Sequence, residues 1–130
     1  MINVSEAIAR AVARECPGAP VFSLIGDANL PIVGALDRYT NSPQCFARDE
    51  GAAVAMADGY AQAKDALGIA TVTSGPGLTH AATSLLSASR MRTPLVVIAG
   101  DTPTHRSIGL QEMQREIGRA SCRERVLCVV

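Results

Sequence analysis

Short apolar segments and helix-forming segments alternate along the first hundred residues of this chain, and that alternation restricts the folds available to it. The apolar segments are bounded by Gly, Pro, Asn or Asp and are predicted to be strands at 21–25, 44–47, 68–73 and 95–100. The segments beside them are predicted to be helices at 5–15, 30–39, 50–63 and 79–89. Strands that alternate with helices usually form parallel sheets through crossover connections. The sequence therefore predicts an α/β fold, a doubly wound parallel sheet with helices on both faces.

The composition agrees with a sheet that is covered on both sides. Of the 130 residues, 48% are hydrophobic but only 3% are aromatic, so the core must be built from Ala, Val, Ile and Leu. Aliphatic strands of this kind are typical of parallel sheets with helices on each face. The length suits one domain. In the helix at 30–39 we expect Leu30, Val33 and Leu36 to face the core.

Charge and cysteine usage exclude several classes of function. The formal net charge is +0, so the sequence predicts no binding surface for nucleic acid or for an anionic membrane. No apolar run approaches the roughly 20 residues that a membrane span needs, and the N-terminus lacks the apolar core of a secretory signal. The four cysteines have no metal-binding spacing. Ordinary reduced thiols predict a cytoplasmic protein.

The segment 117–130 does not continue the pattern set upstream. It reads IGRASCRERVLCVV and contains two of the four cysteines of the chain. Residues 117–126 resemble the translation of a common short-read sequencing adapter, and we interpret the tail as non-native. The alternative is a genuine basic tail that ends in an apolar strand. On the first interpretation the native domain occupies 1–116 and is incomplete at its C-terminus.

Polar clusters follow each of the four predicted strands. They are Gly26-Asp27, 48–50, 74–77 and 100–102. In a parallel sheet all four loops lie at the same edge, and ligands bind outside the carboxyl ends of the strands. This arrangement predicts a binding site at that edge, although the fold alone does not name its chemistry.

Glu50 lies at the junction between the second strand and an alanine-rich helix, in the sequence FARDEGAAVAMADGYA at 46–61. Asp49 is suited to cap that helix, because its side chain can accept a hydrogen bond from a free backbone N–H. A carboxylate in the first turn is stabilised by the partial positive charge of the helix N-terminus. Two interpretations follow: Glu50 is a structural residue of a tightly packed helix, or it is the central carboxylate of a site.

The sequence TSGPG at 73–77 is a second candidate. Gly75 and Gly77 permit close backbone approach and Pro76 stiffens the loop. A glycine-rich turn that opens a helix can cradle a phosphate, but this one matches neither the phosphate loop nor the dinucleotide fingerprint. Taken alone, the motif favours a structural turn over a phosphate site. The small residues of the helices at 50–63 and 80–89 further predict close packing, including packing against another subunit.

Four motifs in order resemble a known family. They are GDANLP at 26–31, RDEGAAVAMADGYA at 48–61, TSGPG at 73–77 and TPLVVIAGDTP at 93–103. Together they resemble the N-terminal, pyrimidine-binding domain of the thiamine diphosphate enzymes of the acetolactate synthase and 2-oxoacid decarboxylase group. The resemblance covers residues 1–115.

The resemblance implies a role for each motif. It implies that Glu50 is catalytic: the matching glutamate hydrogen-bonds the pyrimidine ring of thiamine diphosphate and favours the tautomer that removes the thiazolium proton. It further implies a cofactor-binding set, with Gly26 and Asp27 lining the pocket and the following loop beside the cofactor at a dimer interface: Thr73, Ser74, Gly75, Pro76 and Gly77. Gln111 matches a position near the substrate in some relatives, or else is a solvated helix residue. Neither His80 nor His105 is assigned a role.

The resemblance also implies what lies outside this chain. In the family Mg²⁺ binds through a separate C-terminal domain, so the chain itself is expected to bind no metal, and FAD binding stays open. The expected parent enzyme is a homodimer or tetramer that acts on 2-oxo acids as a carboligase or decarboxylase, and the isolated fragment is expected to be inactive. One alternative is a separate pyrimidine-domain subunit that needs a partner chain for the diphosphate and Mg²⁺. Another is a regulatory or structural domain without cofactor.

Overall fold

The computed structural model describes residues 3–100. Within them the chain forms four strands and five helices, in the order α1 (Val4–Glu15), β1 (Val21–Ser23), α2 (Leu30–Tyr39), β2 (Gln44–Phe46), α3 (Glu50–Lys64), β3 (Gly68–Val72), α4 (Pro76–His80), α5 (Ala82–Met91) and β4 (Leu95–Ala99). The strands form one sheet in the order β2-β1-β3-β4, and every neighbouring pair is parallel. The predicted α/β fold is confirmed. Gln111, His105 and the boundary at residue 116 lie outside the described residues.

Helices cover both faces of the sheet, as predicted. Alternate residues of a strand point to opposite faces, so adjacent positions of β1 enter different cores. Val21 packs with Ile69 and Ile98 on the side of α1 and α2. Phe22 packs on the other side, where α3 and α5 contribute their buried residues. Apart from Phe22 and the partly buried Tyr60, these two layers are built largely from aliphatic residues around β3, whose five residues are all buried.

The order of the strands puts a topological switch point between β1 and β3. From β1 the chain crosses through α2 to β2 on one side, whereas from β3 it crosses through α4 and α5 to β4 on the other side. In open α/β sheets, ligands usually bind outside the carboxyl ends of the strands at such a point. The loop after β1 and the loop at 73–77 lie on either side of it.

Two local predictions were wrong. Leu30 is 54% exposed, whereas Val33 and Leu36 are buried as expected. The buried face of α2 includes Ile32, and a helix turns by about 200° over the two residues between Leu30 and Ile32, so Leu30 points away from the core. The other difference concerns the helix expected at 79–89. It begins earlier, at Pro76, and is divided at Ala81 into α4 and α5.

None of the helices within residues 3–100 is both long enough and apolar enough to span a bilayer.

Candidate functional site

Asp49 caps α3, and this leaves the neighbouring glutamate available for another role. The Asp49 backbone is extended, and its Oδ1 accepts a hydrogen bond from the backbone N–H of Ala52 at 2.7 Å. That bond satisfies one of the free donors at the start of the helix, as the sequence predicted. Glu50 is the first residue of α3 and is not needed as its cap.

The carboxyl group of Glu50 turns inward, towards the loop that follows β3. The side chain is only 12% exposed. Its Oε1 lies 2.9 Å from the position that a Cβ on Gly77 would occupy, and its Oε2 lies 3.3 Å from Nδ1 of His80. The N-terminus of α3 favours a negative charge at this position. The structure therefore places Glu50 and the glycine-proline loop at the same edge of the sheet.

Glycine is favoured at two positions of the 73–77 loop. Gly75 precedes α4 with a φ of 59°, a backbone conformation that side chains disfavour. Gly77 is buried, and a Cβ there would also lie 2.6 Å from Cγ2 of Thr73. Pro76 occupies the first turn of α4, where its missing N–H is harmless. The missing side chain of Gly77 allows both Thr73 and Glu50 to pack against its Cα.

A buried asparagine holds the loop that follows β1. Asn29 has no exposed surface; its Oδ1 accepts a hydrogen bond from the Gly26 N–H at 2.7 Å. Its Nδ2 donates to the Leu24 carbonyl at 3.0 Å and to Oγ1 of Thr71 at 3.3 Å. The asparagine thus ties this loop to β3, the strand that leads into the 73–77 loop.

Gly26 brings the first two loops into contact. A Cβ on Gly26 would lie 2.7 Å from both Cβ and Oγ1 of Thr73, so only glycine permits this approach without displacement. Asp27, by contrast, is exposed. At the end of β4, a side chain on Gly100 would overlap the carbonyl of Ala28. The loops after three strands therefore meet at one edge.

The structure brings together part of the predicted set. Glu50, Gly77, Thr73 and Gly26 form a continuous series of contacts, and Ser74 and Gly75 are buried in the same loop. Asp27 and Pro76 belong to the same edge but face solvent. Two residues beside this set were not predicted from the sequence: Asn29 was not singled out, and His80 was considered but assigned no role. The motif GDANLP contains Asn29, but its buried hydrogen bonds depend on β3, and nothing in the local pattern around His80 indicated a contact with Glu50.

Two other kinds of site, a metal site and a cavity, were considered among the described residues. No three His, Cys, Asp or Glu side chains within residues 3–100 are arranged to hold a metal ion. A cavity of about 300 Å³ lies between the end of α5 and the start of β4, lined by residues that include Leu85, Arg92 and Leu95. It opens at the amino edge of the sheet, opposite Glu50.

Residues 2–121 match the family model described as the thiamine pyrophosphate enzyme, N-terminal TPP binding domain. The chain belongs to this family. It is 42% identical over 80 residues to the acetolactate synthase large subunit of Haemophilus influenzae, a match that covers 62% of this chain and 14% of that protein. It is 43% identical over 84 residues to the large subunit of acetolactate synthase isozyme 3 of Escherichia coli, covering 65% of this chain and 15% of that protein.

Solved structures of thiamine diphosphate enzymes share the fold of this family member. A thiamin diphosphate-dependent enzyme from Mycobacterium smegmatis superposes with a TM-score of 0.66 at 25% identity, over 80% of this chain and 20% of that chain. The thiamine diphosphate-dependent 4-hydroxybenzoylformate decarboxylase of Rhodococcus jostii RHA1 gives a TM-score of 0.68 at 22% identity, over 78% and 19% of the two chains, and shows the fold alone. In each comparison the chain spans a fifth or less of its relative.

Proposed function

We propose that this chain provides the pyrimidine side of the thiamine diphosphate site in an acetolactate synthase-like enzyme that acts on 2-oxo acids. The observation that carries the proposal is the position of Glu50: its carboxyl group is 12% exposed, faces inward and lies against Gly77. The family membership and the acetolactate synthases among the relatives support the same assignment.

The residues around Glu50 are closely packed. Gly75 and Gly77 are buried, and any side chain at Gly26 or Gly77 would collide with Thr73, so these glycines allow the loops to meet beside Glu50. In our proposal the pyrimidine ring binds at this edge of the sheet, with Glu50 at its edge and the 73–77 loop beside it. When bound, thiamine diphosphate supplies the electron sink for bond cleavage next to the carbonyl of a 2-oxo acid.

The carboxyl group of Glu50 has two properties that its proposed role requires. Its limited exposure restricts competition from water for a hydrogen bond to a ring nitrogen, and the N-terminus of α3 stabilises its anionic form. A proton held or shared at one carboxyl oxygen is then available for exchange with the ring. In this proposal Glu50 binds the pyrimidine ring and activates the cofactor. Gly26, Asp27 and residues 73–77 line the pocket.

The other components of the site are proposed to come from outside this chain. We place the Mg²⁺ and diphosphate ligands in a separate C-terminal domain of the same polypeptide, and we leave FAD binding open. The second candidate is a pyrimidine-domain subunit that completes its site with a separately encoded chain. A partner subunit is expected to pack on α3 and α5, where Met56 and Leu86 are 37% and 55% exposed.

Turnover by the complete enzyme tests the proposal. Glu50→Gln keeps the size of the side chain but removes its ability to exchange a proton, so the turnover of the 2-oxo acid substrate should fall by about 10²–10⁴-fold. Glu15→Gln, at the exposed end of α1, is the matched control and should retain full activity. Thiamine diphosphate-dependent turnover that is unchanged in Glu50→Gln would contradict the assignment.

A further inference from the structure

His80 lies close to the Glu50 carboxyl group but has no part in the proposed function. It is the last residue of α4, and its Nδ1 lies 3.3 Å from Oε2 of Glu50. The two partners differ in environment, because the histidine side chain is 74% exposed and the glutamate side chain 12% exposed. The ring therefore approaches the carboxyl group from the solvent side, whereas Gly77 lies against its other oxygen.

Two glycines allow this approach. A Cβ on Gly51 would lie 3.4 Å from the carbonyl oxygen of His80, so the end of α4 is in close contact with the first turn of α3. Gly77, three residues before His80, lets the carboxyl group pack against α4. The backbone of His80 is thus fixed relative to Glu50, and the ring reaches the carboxyl group by the geometry of the two helices.

At 3.3 Å, the contact is favourable only when Nδ1 carries a proton. A bare Nδ1 would direct its lone pair at a carboxylate oxygen, and the two acceptors would repel each other. With a proton on Nδ1, the same contact is attractive, whether the ring is neutral or charged. The two charged residues before Glu50 are placed differently. The Asp49 side chain accepts a hydrogen bond from the N–H of Ala52, and Arg48 is exposed.

We propose that His80 is a positioning residue for Glu50. Its Nδ1–H holds Oε2, so that the carboxyl group keeps one orientation over Gly77 and presents a fixed edge to the cofactor. Because the histidine is largely exposed, the contact contributes little to folding stability. Its consequence for catalysis rests on the proposed function, whereas the contact itself can be tested without cofactor.

The first test observes the histidine ring directly. Long-range ¹H–¹⁵N NMR spectra of the 130-residue chain, recorded where the rings are neutral, distinguish the two tautomers, and His105 is the only other histidine. A neutral histidine without a partner carries its proton mainly on Nε2. We expect the Nδ1–H form for His80 in the native chain and in Glu50→Gln, which keeps an acceptor oxygen, and the Nε2–H form in Glu50→Ala. An Nε2–H ring in the native chain, or a tautomer that Glu50→Ala leaves unchanged, would overturn the proposal.

The second test measures the consequence in the complete enzyme. His80→Ala should slow deuterium exchange at the thiazolium carbon of bound thiamine diphosphate by about 10- to 100-fold, because a misplaced group loses much of its effect. His80→Asn should restore most of the rate, since its amide nitrogen can occupy the place of Nδ1. Both variants should keep the native melting temperature. A native exchange rate in His80→Ala, or an Asn variant as slow as the Ala variant, would refute the positioning role.

These outcomes separate the inference from the proposed function. Native exchange in Glu50→Gln would refute the role of Glu50 in activation, whatever His80 does. The tautomer of His80 reports on the contact alone, because that measurement involves no cofactor.

Discussion

At the scale of single residues, the candidate site depends on the absence of a side chain at Gly77. Gly77 lies where a Cβ would come within 2.9 Å of Oε1 of Glu50 and 2.6 Å of Cγ2 of Thr73. Both atoms belong to side chains and not to the backbone: Glu50 can rotate away, and Thr73, which is β-branched, can move by changing its rotamer. A larger residue at this position should therefore displace the carboxyl group without disrupting the backbone.

The substitution Gly77→Ala separates function from stability. Alanine favours the helix in which residue 77 lies by about 0.5–1 kcal/mol, which offsets part of the local crowding. We expect the free energy of unfolding to change by less than about 1 kcal/mol, whereas turnover by the complete enzyme falls at least about tenfold because Glu50 is displaced. Gly34→Ala is the control, since nothing lies within 4 Å of its Cβ position in α2. Full activity in Gly77→Ala would show that the carboxyl group does not need this space.

A second residue-scale prediction concerns Cys16. Burial raises the pKa of its thiol above the ordinary value of 9.0, and the negative charge of Glu15 raises the pKa further. At pH 8 less thiolate is present than in an unperturbed cysteine, so alkylation should be slower, and Glu15→Gln should accelerate it. The folded state holds the thiol proton more tightly than the unfolded state does. The raised pKa therefore stabilises the folded chain below pH 9.0, and this stabilisation is lost as pH rises through the raised pKa. Alkylation rates followed by peptide mass spectrometry test the effect, and an unchanged rate in Glu15→Gln would contradict it.

At the scale of elements, α3 is positioned by its close contact with β3. A side chain on Gly68, the first residue of β3, would overlap the carbonyl group of Ala57 in the middle of α3. Unlike the neighbours of Gly77, this obstacle is backbone and cannot rotate away. The small residues of α3 and this glycine together set the height of Glu50 above the sheet.

Gly68→Ala should therefore destabilise the domain. Overpacking of this kind costs about 1–3 kcal/mol, because α3 must shift away from the sheet. Gly59 lies in α3, and nothing lies within 4 Å of its Cβ position. Gly59→Ala should therefore stabilise the domain by about 0.5–1 kcal/mol. Urea unfolding of the two variants measures the difference, and equal stabilities would show that the close packing of α3 on β3 is not required.

The elements themselves could be predicted because their boundaries are marked locally. Glycine, proline and capping residues such as Asp49 end or begin them, and alternating strands and helices predict the parallel sheet. Leu30 was assigned wrongly because Gly34 and Ala35 weaken the apolar pattern of α2. The contact between His80 and Glu50 was not predictable, because it depends on how α4 and α3 meet in space.

At the scale of the whole molecule, the chain belongs to a thiamine pyrophosphate enzyme family but spans only 14% and 15% of two of its acetolactate synthase relatives. In our proposal the described residues form one edge of the cofactor site, around Glu50 and the 73–77 loop. In our proposal the diphosphate is held elsewhere, and most of the binding energy for the charged end of the cofactor is then absent from this chain.

The isolated 130-residue chain should therefore bind thiamine diphosphate weakly even with Mg²⁺. Titration calorimetry should detect no binding with a micromolar Kd, whereas the complete enzyme, titrated in parallel, should bind. Micromolar binding by the isolated chain would mean that it contains its own diphosphate site.

The most direct test of the role of Glu50 is the rate of deuterium exchange at the thiazolium carbon of thiamine diphosphate bound to the complete enzyme. If Glu50 exchanges a proton with the pyrimidine ring, Glu50→Gln should slow that exchange by about 10²–10⁴-fold, while Glu15→Gln leaves it unchanged. Exchange at the native rate in Glu50→Gln would contradict the account.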